Sequence, residues 1–374
     1  MINSDTKFFI SISKKPSSLG TKIYGKLFQK YKINSVYKSF VISNLNNAIE
    51  AIKTLSISGF SVSMPFKEKI LEKVDILDDS VKKTGSINTV LVNNKKLIGY
   101  NTDLVGAEKA VKKIKITKND NILICGSGGT SRTISYILRK KSKFKNVYIF
   151  SRNKKTSTKL IKDLDLLKFT NKKKYDILIN CSPLGMANEK KIPFSENYVK
   201  NCKGVIDFVN NPSNTNLIKL AKKHNKKFVD GIFISLNQLT KQFQIYTNKK
   251  ISFNKINSTF LNLDFQKDLK KITKNYLKYF KTKDFESLKK IFAEKIKLKD
   301  WENNLKGKTK VINFNRKIFS KVKKIVIKKQ NISVSNNTVF ADLKLILDSN
   351  KLDILDIIKF NNNKKIISIN AYRR

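Results

Sequence analysis

The chain has 374 residues, 40% of them hydrophobic, which suffices for two or three domains with ordinary buried cores. No run approaches the ~18 apolar residues of a membrane span, and the polar start over residues 1–6 with its short apolar run at 8–12 lacks the parts of a signal peptide, so a cytoplasmic location is expected. The formal net charge is +50, yet only six of the 78 basic residues are Arg and the Lys are spread along the whole chain, a codon-driven pattern unlike the clustered, Arg-forked charge of nucleic-acid sites; no nucleic-acid partner is expected, only an attraction for anionic substrates and cofactors.

In chain order, residues 8–13 read as a strand, 20–31 as a helix, 36–41 as a strand and 45–56 as a helix. Residues 61–63 read as a short strand, and Pro65 is expected to open a helix because its fixed φ suits the first helical position. Residues 88–91 and 97–100 are expected to pair around a turn at Asn93-Asn94. Residues 104–114 read as a helix and 121–125 as a buried strand, after which a Gly-rich turn leads into a helix over 130–140. Strands follow at 147–150, 177–180 and 205–208, then helices near 213–224 and 232–247, the second packing back on the first domain. This alternation predicts an α/β domain over 1–103, completed by the helix at about 232–249, and a doubly wound parallel sheet over 104–231. Residues 251–266 read as a polar link. Helices at 267–280 and 285–294, then strands at 322–334, 338–347, 353–360 and 366–372, predict a separate small α+β domain over 267–374.

The strongest local signal is Ile122-Leu123-Ile124-Cys125-Gly126-Ser127-Gly128-Gly129-Thr130-Ser131-Arg132. An apolar strand ends in closely spaced glycines and a helix begins. Without Cβ atoms the backbone can approach a pyrophosphate, and the helix start offers free N–H groups and a positive dipole end. A tight strand–helix turn with no ligand is the competing reading. The next strand runs into Ser151, Arg152, Asn153, Lys154 and Lys155, with no acid before Asp163. An acid there would hold the ribose hydroxyls of NAD; a cationic loop suits the 2′-phosphate of NADP, and Arg152 can stack and fork where Lys cannot. A solvated basic loop is the alternative. Cys125, Cys181, Cys202 and the single His224 have no zinc spacing and read as buried thiols and a lone His, so no metal is expected.

A second constellation is Ser61-Val62-Ser63-Met64-Pro65-Phe66-Lys67-Glu68, then Ser86-Ile87-Asn88-Thr89, then Tyr100-Asn101-Thr102-Asp103. Singly these are bland: Lys67 is one of many lysines, and Thr102 or Asp103 also suits a cap for the helix at Leu104. In this order they resemble the shikimate dehydrogenase superfamily, whose motifs run Asn-Val-Thr-x-Pro-x-Lys, Asn-Thr and Asn-Thr-Asp, with the Lys and Asp flanking the reacting hydroxyl or ketone. Downstream, Asn180-Cys181-Ser182-Pro183-Leu184-Gly185-Met186, Asp207 with Pro212 and Thr215, and Asp230-Gly231 with Gln238 and Tyr246-Thr247 are similar to that family's later motifs, so the resemblance spans residues 8–249. It implies an α/β substrate domain plus a Rossmann domain. It implies catalytic roles for Lys67 and Asp103, substrate contacts from Ser18, Ser63, Asn88 and Gln238, and cofactor contacts from Gly126, Ser127, Gly128, Gly129, Thr130, Ser151, Arg152, Asn153, Lys154, Lys155 and Gly231.

The departures are informative. The family's carboxylate-binding Ser-x-Ser-Pro-x-x-His-Asn appears as Ser18-Leu19-Gly20-Thr21-Lys22-Ile23-Tyr24-Gly25, so one serine is gone. Ser63 replaces a Thr but keeps a hydroxyl, and Asn210 stands where a Tyr is expected. The form Ser-Val-Ser-Met-Pro-Phe-Lys-Glu is closer to a divergent shikimate dehydrogenase-like subgroup. The C-terminal part, with Tyr276-Leu277-Lys278-Tyr279-Phe280, Asp284-Phe285, Leu298-Lys299-Asp300-Trp301 and the late strands at 356–360 and 369–373, resembles the cone fold shared by nuclear transport factor 2, ketosteroid isomerase and polyketide cyclases. Asp300 and Trp301 suit either a pocket or packing and capping, the latter being favoured.

The resemblances together imply an NADP-dependent dehydrogenase acting on a CH–OH group, reducing 3-dehydroshikimate to shikimate on the chorismate route to aromatic amino acids, or acting on a related cyclic hydroxy acid. Lys67 would pass the proton and stabilise the developing charge beside Asp103. A quinate or other hydroxy-acid dehydrogenase and a non-catalytic small-molecule-binding protein are the alternatives. The expected partner is a small-molecule substrate, with no membrane, and homodimerisation is left open.

Overall fold

The computed structural model describes every residue except Met1, Lys172, Asn188, Lys190 and Arg374. The chain divides into two units, Met1–Asn257 and Ser258–Arg374.

The first unit holds two six-stranded sheets. In the first, Ser35–Val41, Lys7–Ser13 and Gly59–Val62 lie side by side and parallel, linked by the helices Leu19–Lys30 and Leu45–Thr54. Thr89–Asn93 then adds antiparallel, and Lys96–Tyr100 and Ile76–Leu77 complete the order. Strand alternation separates two faces. Ile10, Ile12, Phe60, Val62 and Val90 share one apolar core, whereas Phe9 packs on Phe28 and Tyr246 on the other face. The hairpin turn falls one residue later than the sequence suggests. Asn93 pairs with Lys96, leaving Asn94 and Lys95 with φ of 47° and 61° as the two left-handed residues that a twisted two-residue hairpin requires.

In the second sheet all strands are parallel, ordered Lys227–Val229, Gly204–Asp207, Ile177–Asn180, Ile122–Cys125, Val147–Phe150 and Leu167–Lys168. The first strand of the sheet thus sits in its middle, and the chain reverses direction across it. The crevice beyond the ends of Ile122–Cys125 and Ile177–Asn180 is the switch point at which such sheets bind ligands. Helix Gly231–Thr247 returns to the first sheet, stacking Tyr246 on Phe9 at 4.6 Å between ring centroids. Along the way it presses on helix Asp103–Ile114, where a Cβ at Gly106 would lie 2.6 Å from the Ile234 carbonyl oxygen.

One local expectation fails in this unit, and two others are refined. Pro65 does not open a helix: the Met64–Pro65 peptide is cis, Phe66 N–H closes a turn onto the Ser63 carbonyl at 2.9 Å, and only a short 3-10 turn follows at Lys69–Lys73. The helix after the Gly-rich turn starts at Gly129 and changes at Ile137 to a wider π-type turn through Lys141. The segment 251–266 is helical from Phe253 onward, forming the first half of helix Phe253–Lys281, and the division between the two units falls inside it. Phe253, Ile256, Phe260 and Leu263 recur there at helical spacing among many polar residues, and Ile256 is fully buried.

The second unit carries a sheet ordered Asn304–Lys306, Phe292–Lys299, Ile366–Arg373, Asn350–Phe360, Thr338–Leu347 and Ile325–Ser335. Its core gathers Leu269, Leu277, Leu288, Val311, Ile358 and Phe360. The helix expected at 285–294 stops at Ile291, because Phe292, Ile296 and Leu298 point inward from a strand. Helix Lys308–Lys321 escaped the sequence reading. Among the described residues no helix is long and apolar enough to cross a membrane.

Candidate active site

The turn after Gly59–Val62 delivers Lys67, and the start of helix Asp103–Ile114 delivers Asp103. Lys67 Nζ is ion-paired with Asp103 Oδ2, and the two side chains are 14% and 8% exposed. Asp103 does not cap its helix. Its Oδ1 accepts from the Asn88 amide at 2.8 Å, and Asn88 Oδ1 accepts from Thr102 N–H at 2.8 Å and from the Thr89 hydroxyl at 3.0 Å. Thr89 Oγ1 in turn accepts from the Gln242 amide at 2.7 Å, and Gln242 Oε1 accepts from the Tyr24 hydroxyl at 2.8 Å. Asn101 fixes the same helix start: its Oδ1 accepts from Asp103 N–H at 3.0 Å, and its amide donates to Thr84 and Thr133. With Oδ1 and Oδ2 both engaged, the carboxylate has one orientation. Lys67 keeps further N–H donors for a substrate oxygen.

The nucleotide-type turn lies beside this pair. A Cβ on Gly129 would fall 2.5 Å from Ser86 Oγ and 3.3 Å from Lys67 Cβ, so the helix start abuts Lys67. Gly126 has φ of +109°, and a Cβ there would meet the Cys181 backbone at 3.0 Å. Nothing lies within 4 Å of a Cβ placed on Gly128, which leaves open space over the turn. Ser131 Oγ braces the turn by donating to the Gly126 carbonyl at 2.7 Å. Ser127, Ser151 and Thr156 form a hydroxyl cluster, with Ser127 Oγ 2.8 Å and 2.6 Å from the other two. Asn153 caps helix Lys154–Leu164 by accepting from Thr156 N–H at 3.1 Å, and Arg152, Lys154 and Lys155 are exposed at its start. Asp163 is tied to Arg132 at 2.7 Å and offers no carboxylate to a ribose. Open backbone, free helix N–H groups, hydroxyls and three cations fit a phosphorylated dinucleotide.

The remaining expected residues divide. Ser63 lies exposed in the turn before Lys67, and Ser18 is exposed at the N-cap of Leu19–Lys30 without a side-chain cap bond. Gln238 is half-buried on helix Gly231–Thr247, while the buried amide of that helix that reaches the network is Gln242. Gly231 serves packing: a Cβ there would fall 2.2 Å from the Val209 carbonyl oxygen. Thr84, Thr156 and Gln242 had no sequence signal of their own, since each acts through a partner distant in the chain. The Asn180 amide donates to Asp207 Oδ1 at 3.0 Å, and Asp207 Oδ2 accepts from Thr215 at 2.6 Å, so these motifs brace the loops around the crevice. Burial pushes the Cys181 thiol well above its usual range, with Cys125, Asp207 and Asp103 adding to the rise and Lys67 opposing it. It stays a thiol and not a nucleophile.

In the second unit Asp300 caps a turn, accepting from Asn303 N–H at 2.6 Å and Glu302 N–H at 2.9 Å. Trp301 is exposed. The acid that sequence reasoning missed is Asp356, on the inner face of Asn350–Phe360 between Ala341 and Ala371. Burial alone pushes its carboxyl up to about 7. Burial, and then the same carboxylate, push the Tyr276 hydroxyl well above its usual range.

Comparison with known proteins agrees with this geometry. The family model described as the shikimate dehydrogenase substrate binding domain matches residues 14–90, and that of the SnoaL-like domain matches residues 269–352. A shikimate dehydrogenase-like protein of Haemophilus influenzae is 31% identical over 257 residues, covering 67% of this chain and 94% of the relative. A shikimate dehydrogenase (NADP(+)) of Methanococcus vannielii is 36% identical over 253 residues, covering 62% and 88%. The crystal structure of shikimate dehydrogenase from Aquifex aeolicus superposes with a TM-score of 0.64 at 30% identity, over 70% of this chain and 99% of that one. A shikimate dehydrogenase in complex with NADP+ superposes with a TM-score of 0.61 at 27% identity, over 70% and 96%.

Proposed function

The chain belongs to the shikimate dehydrogenase family, and on that footing we propose that it is an NADP-dependent oxidoreductase that reversibly reduces the ring ketone of 3-dehydroshikimate, or of a closely related cyclic keto acid, to the alcohol. The observation that carries this reading is the Lys67–Asp103 ion pair, held by Asn88 and set directly against Gly129 of the nucleotide turn.

Bound NADPH supplies the hydride. The rest falls to the protein. Lys67 Nζ and Asp103 hold the ketone oxygen between them, and Lys67 gives that oxygen a proton as negative charge develops on it. In the reverse direction Lys67 takes the alcohol proton. Asn88 keeps Asp103 in one orientation, so that Lys67 is aimed and not merely attracted. The Gly126–Thr130 backbone and the helix start hold the pyrophosphate, and Arg152, Lys154 and Lys155 with Ser151 and Asn153 take the ribose phosphate. A cytoplasmic setting belongs to the same proposal, since substrate and cofactor are polar metabolites.

A second reading within the family is a different cyclic hydroxy acid, quinate included. It is favoured by two recognition positions that are built differently here: Gly20 lies under the Tyr37 ring, and the Asn210 amide donates to Ser235 at 2.9 Å. Initial rates of NADPH oxidation with 3-dehydroshikimate, and of NADP reduction with shikimate and with quinate, test both. Turnover of the shikimate pair supports the first reading; turnover of quinate alone supports the second; turnover of none overturns both.

A further inference from the structure

Asn101 lies in the short connection between strand Lys96–Tyr100 and helix Asp103–Ile114, and its side chain reaches both Asp103 and a helix that follows a strand of the other sheet. Its Oδ1 accepts from Asp103 N–H at 3.0 Å. Its amide donates to Thr84 Oγ1 at 2.8 Å and to Thr133 Oγ1 at 2.9 Å. A backbone N–H can only donate, so the partners fix which way the amide faces. Thr84 gives its own proton to the Ser80 carbonyl at 2.7 Å, and Thr133 gives its proton to the Gly129 carbonyl at 2.9 Å. Both hydroxyls are thereby committed to accept from Asn101. The Asn101 backbone N–H is held as well, by Ser80 Oγ at 2.9 Å.

Thr133 belongs to helix Gly129–Tyr136, whose first residue is the last glycine of the nucleotide-type turn. Three directional bonds therefore lead from that turn to Asp103: Thr133 to Gly129, Asn101 to Thr133, and Asp103 to Asn101. Asn101, Thr84 and Thr133 are 3%, 2% and 1% exposed. Groups so buried have little access to water, so a broken bond goes unreplaced and is costly. A second contact runs alongside: a Cβ on Gly85 would lie 3.4 Å from Cδ of Arg132, on the same helix. The start of this helix cannot shift without moving Asn101 or stripping its amide of a partner. Asp103 is thus held by two amides with different reach. Asn88 sets its carboxylate from within the first sheet, and Asn101 sets its backbone from the nucleotide side.

We propose that Asn101 is a positioning residue that ties occupancy of the nucleotide turn to the aim of Asp103, so that a bound dinucleotide tightens the hold on the cyclic substrate. This rests on the proposed oxidoreductase reading of the same site. A dinucleotide on the open N–H groups of the helix start fixes that start, Thr133 fixes Asn101, and Asn101 fixes Asp103. The substrate then meets a site already ordered by the first ligand and loses less freedom on binding. Linkage makes the effect reciprocal, so the substrate tightens the dinucleotide by the same factor. A merely structural residue would lower stability and leave that factor alone.

The test is calorimetric titration of the full-length chain with shikimate, without and with saturating NADPH. Both ligands are the reduced partners, so no hydride passes between them. Where the initial rates single out quinate, quinate takes the place of shikimate. In the wild type NADPH is expected to tighten the acid on the order of 5- to 150-fold. Thr133→Val keeps Asn101, Asp103 and the glycines of the turn but exchanges the one hydroxyl for a methyl, and the tightening is expected to vanish. Thr133→Ser keeps the hydroxyl and is expected to keep the tightening. A wild type in which NADPH leaves the affinity for the acid unchanged overturns the role of Asn101, as does a Thr133→Val variant with the full factor or a Thr133→Ser variant without it. Each of these leaves the oxidoreductase reading in place. A wild type that binds neither acid and turns over no cyclic hydroxy acid overturns that reading and this inference with it. NADPH-induced thermal stabilisation checks the fold of the variants. If Thr133→Val lacks it, Thr133→Ala is read by the same factor.

Discussion

The Asn88 amide donates to Asp103 Oδ1 at 2.8 Å, while its own carbonyl oxygen is held by Thr102 N–H and the Thr89 hydroxyl. One buried amide thus sets the angle of the carboxylate that aims Lys67. Asn88→Ala frees that carboxylate to rotate. Misplacing a catalytic group by about 1 Å costs on the order of 100-fold, so kcat should fall about 10- to 100-fold while NADP-induced thermal stabilisation is kept. Steady-state rates beside a thermal melt check this, and an unchanged kcat would show that Asp103 needs no support.

Gly129 lies against Ser86, whose buried hydroxyl has no hydrogen-bond partner. Gly129→Ala would place its methyl 2.5 Å from that oxygen. The expected cost is about 1–3 kcal/mol of overpacking, seen as a lower Tm and weaker NADP binding. Ser86→Ala removes the clashing atom and an unsatisfied polar group together, so the double variant should recover most of the loss. Additive losses in the double variant would show that the turn does not pack against Ser86.

Arg152, Lys154 and Lys155 stand exposed where the ribose phosphate would lie, and no free acid competes, since Asp163 is engaged by Arg132. Because the three are solvent-screened, each contributes modestly. The wild type should prefer NADP to NAD, and Arg152→Ala should lower the ratio of the two kcat/KM values about tenfold. A ratio that does not move removes Arg152 from cofactor selection.

Asp356 carries a pH signature in the second unit. Burial raises its carboxyl from 3.8 to about 7, so the folded state prefers the protonated form. Stability from this group is complete below about pH 4, falls as pH rises through the window to about 7 and is level above it. At ~1.4 kcal/mol per pKa unit the full loss is at most about 4 kcal/mol. The single tryptophan, Trp301, lies in this unit, so urea melts followed by its fluorescence at pH 5 and pH 8 read the effect. Asp356→Asn should flatten the pH dependence and raise stability at pH 8. A wild type equally stable at both values would show that Asp356 is paired or hydrated in solution.

The sequence made the Lys67–Asp103 pair and the Gly-rich turn legible because short, ordered motifs carry them. Lys67, Asn88 and Asp103 each sit in a short motif whose matching positions recur in the expected order, and Gly126 to Thr130 follow a strand of four apolar residues. What stayed hidden depends on long-range partners. Gln242 reaches Thr89 across 153 residues, and Tyr24 reaches Gln242 across 218. Tyr37 explains Gly20 only once the strand and helix are side by side. Helix Phe253–Lys281 was masked by composition: its apolar stripe is thin among Lys and Asn, so its first half read as a link. Asp356 was passed over because an acid in a strand of alternating residues reads as a solvent-facing position, yet its register with Ala341 and Ala371 puts it inside.

The most direct measurement is the initial rate of NADPH oxidation with 3-dehydroshikimate, taken in parallel for the wild type and for Lys67→Ala. The wild type should turn over the ketone. Lys67→Ala should lose kcat by at least two orders of magnitude, the range of general acid–base catalysis, while binding NADPH with similar affinity, because the groups proposed to hold the cofactor are the Gly126–Thr130 turn and the cations at 152–155, and alanine keeps the Lys67 Cβ that would stand closest to a side chain at Gly129. A variant that keeps wild-type turnover would contradict the assignment of Lys67 as the proton donor and with it the central account of the site.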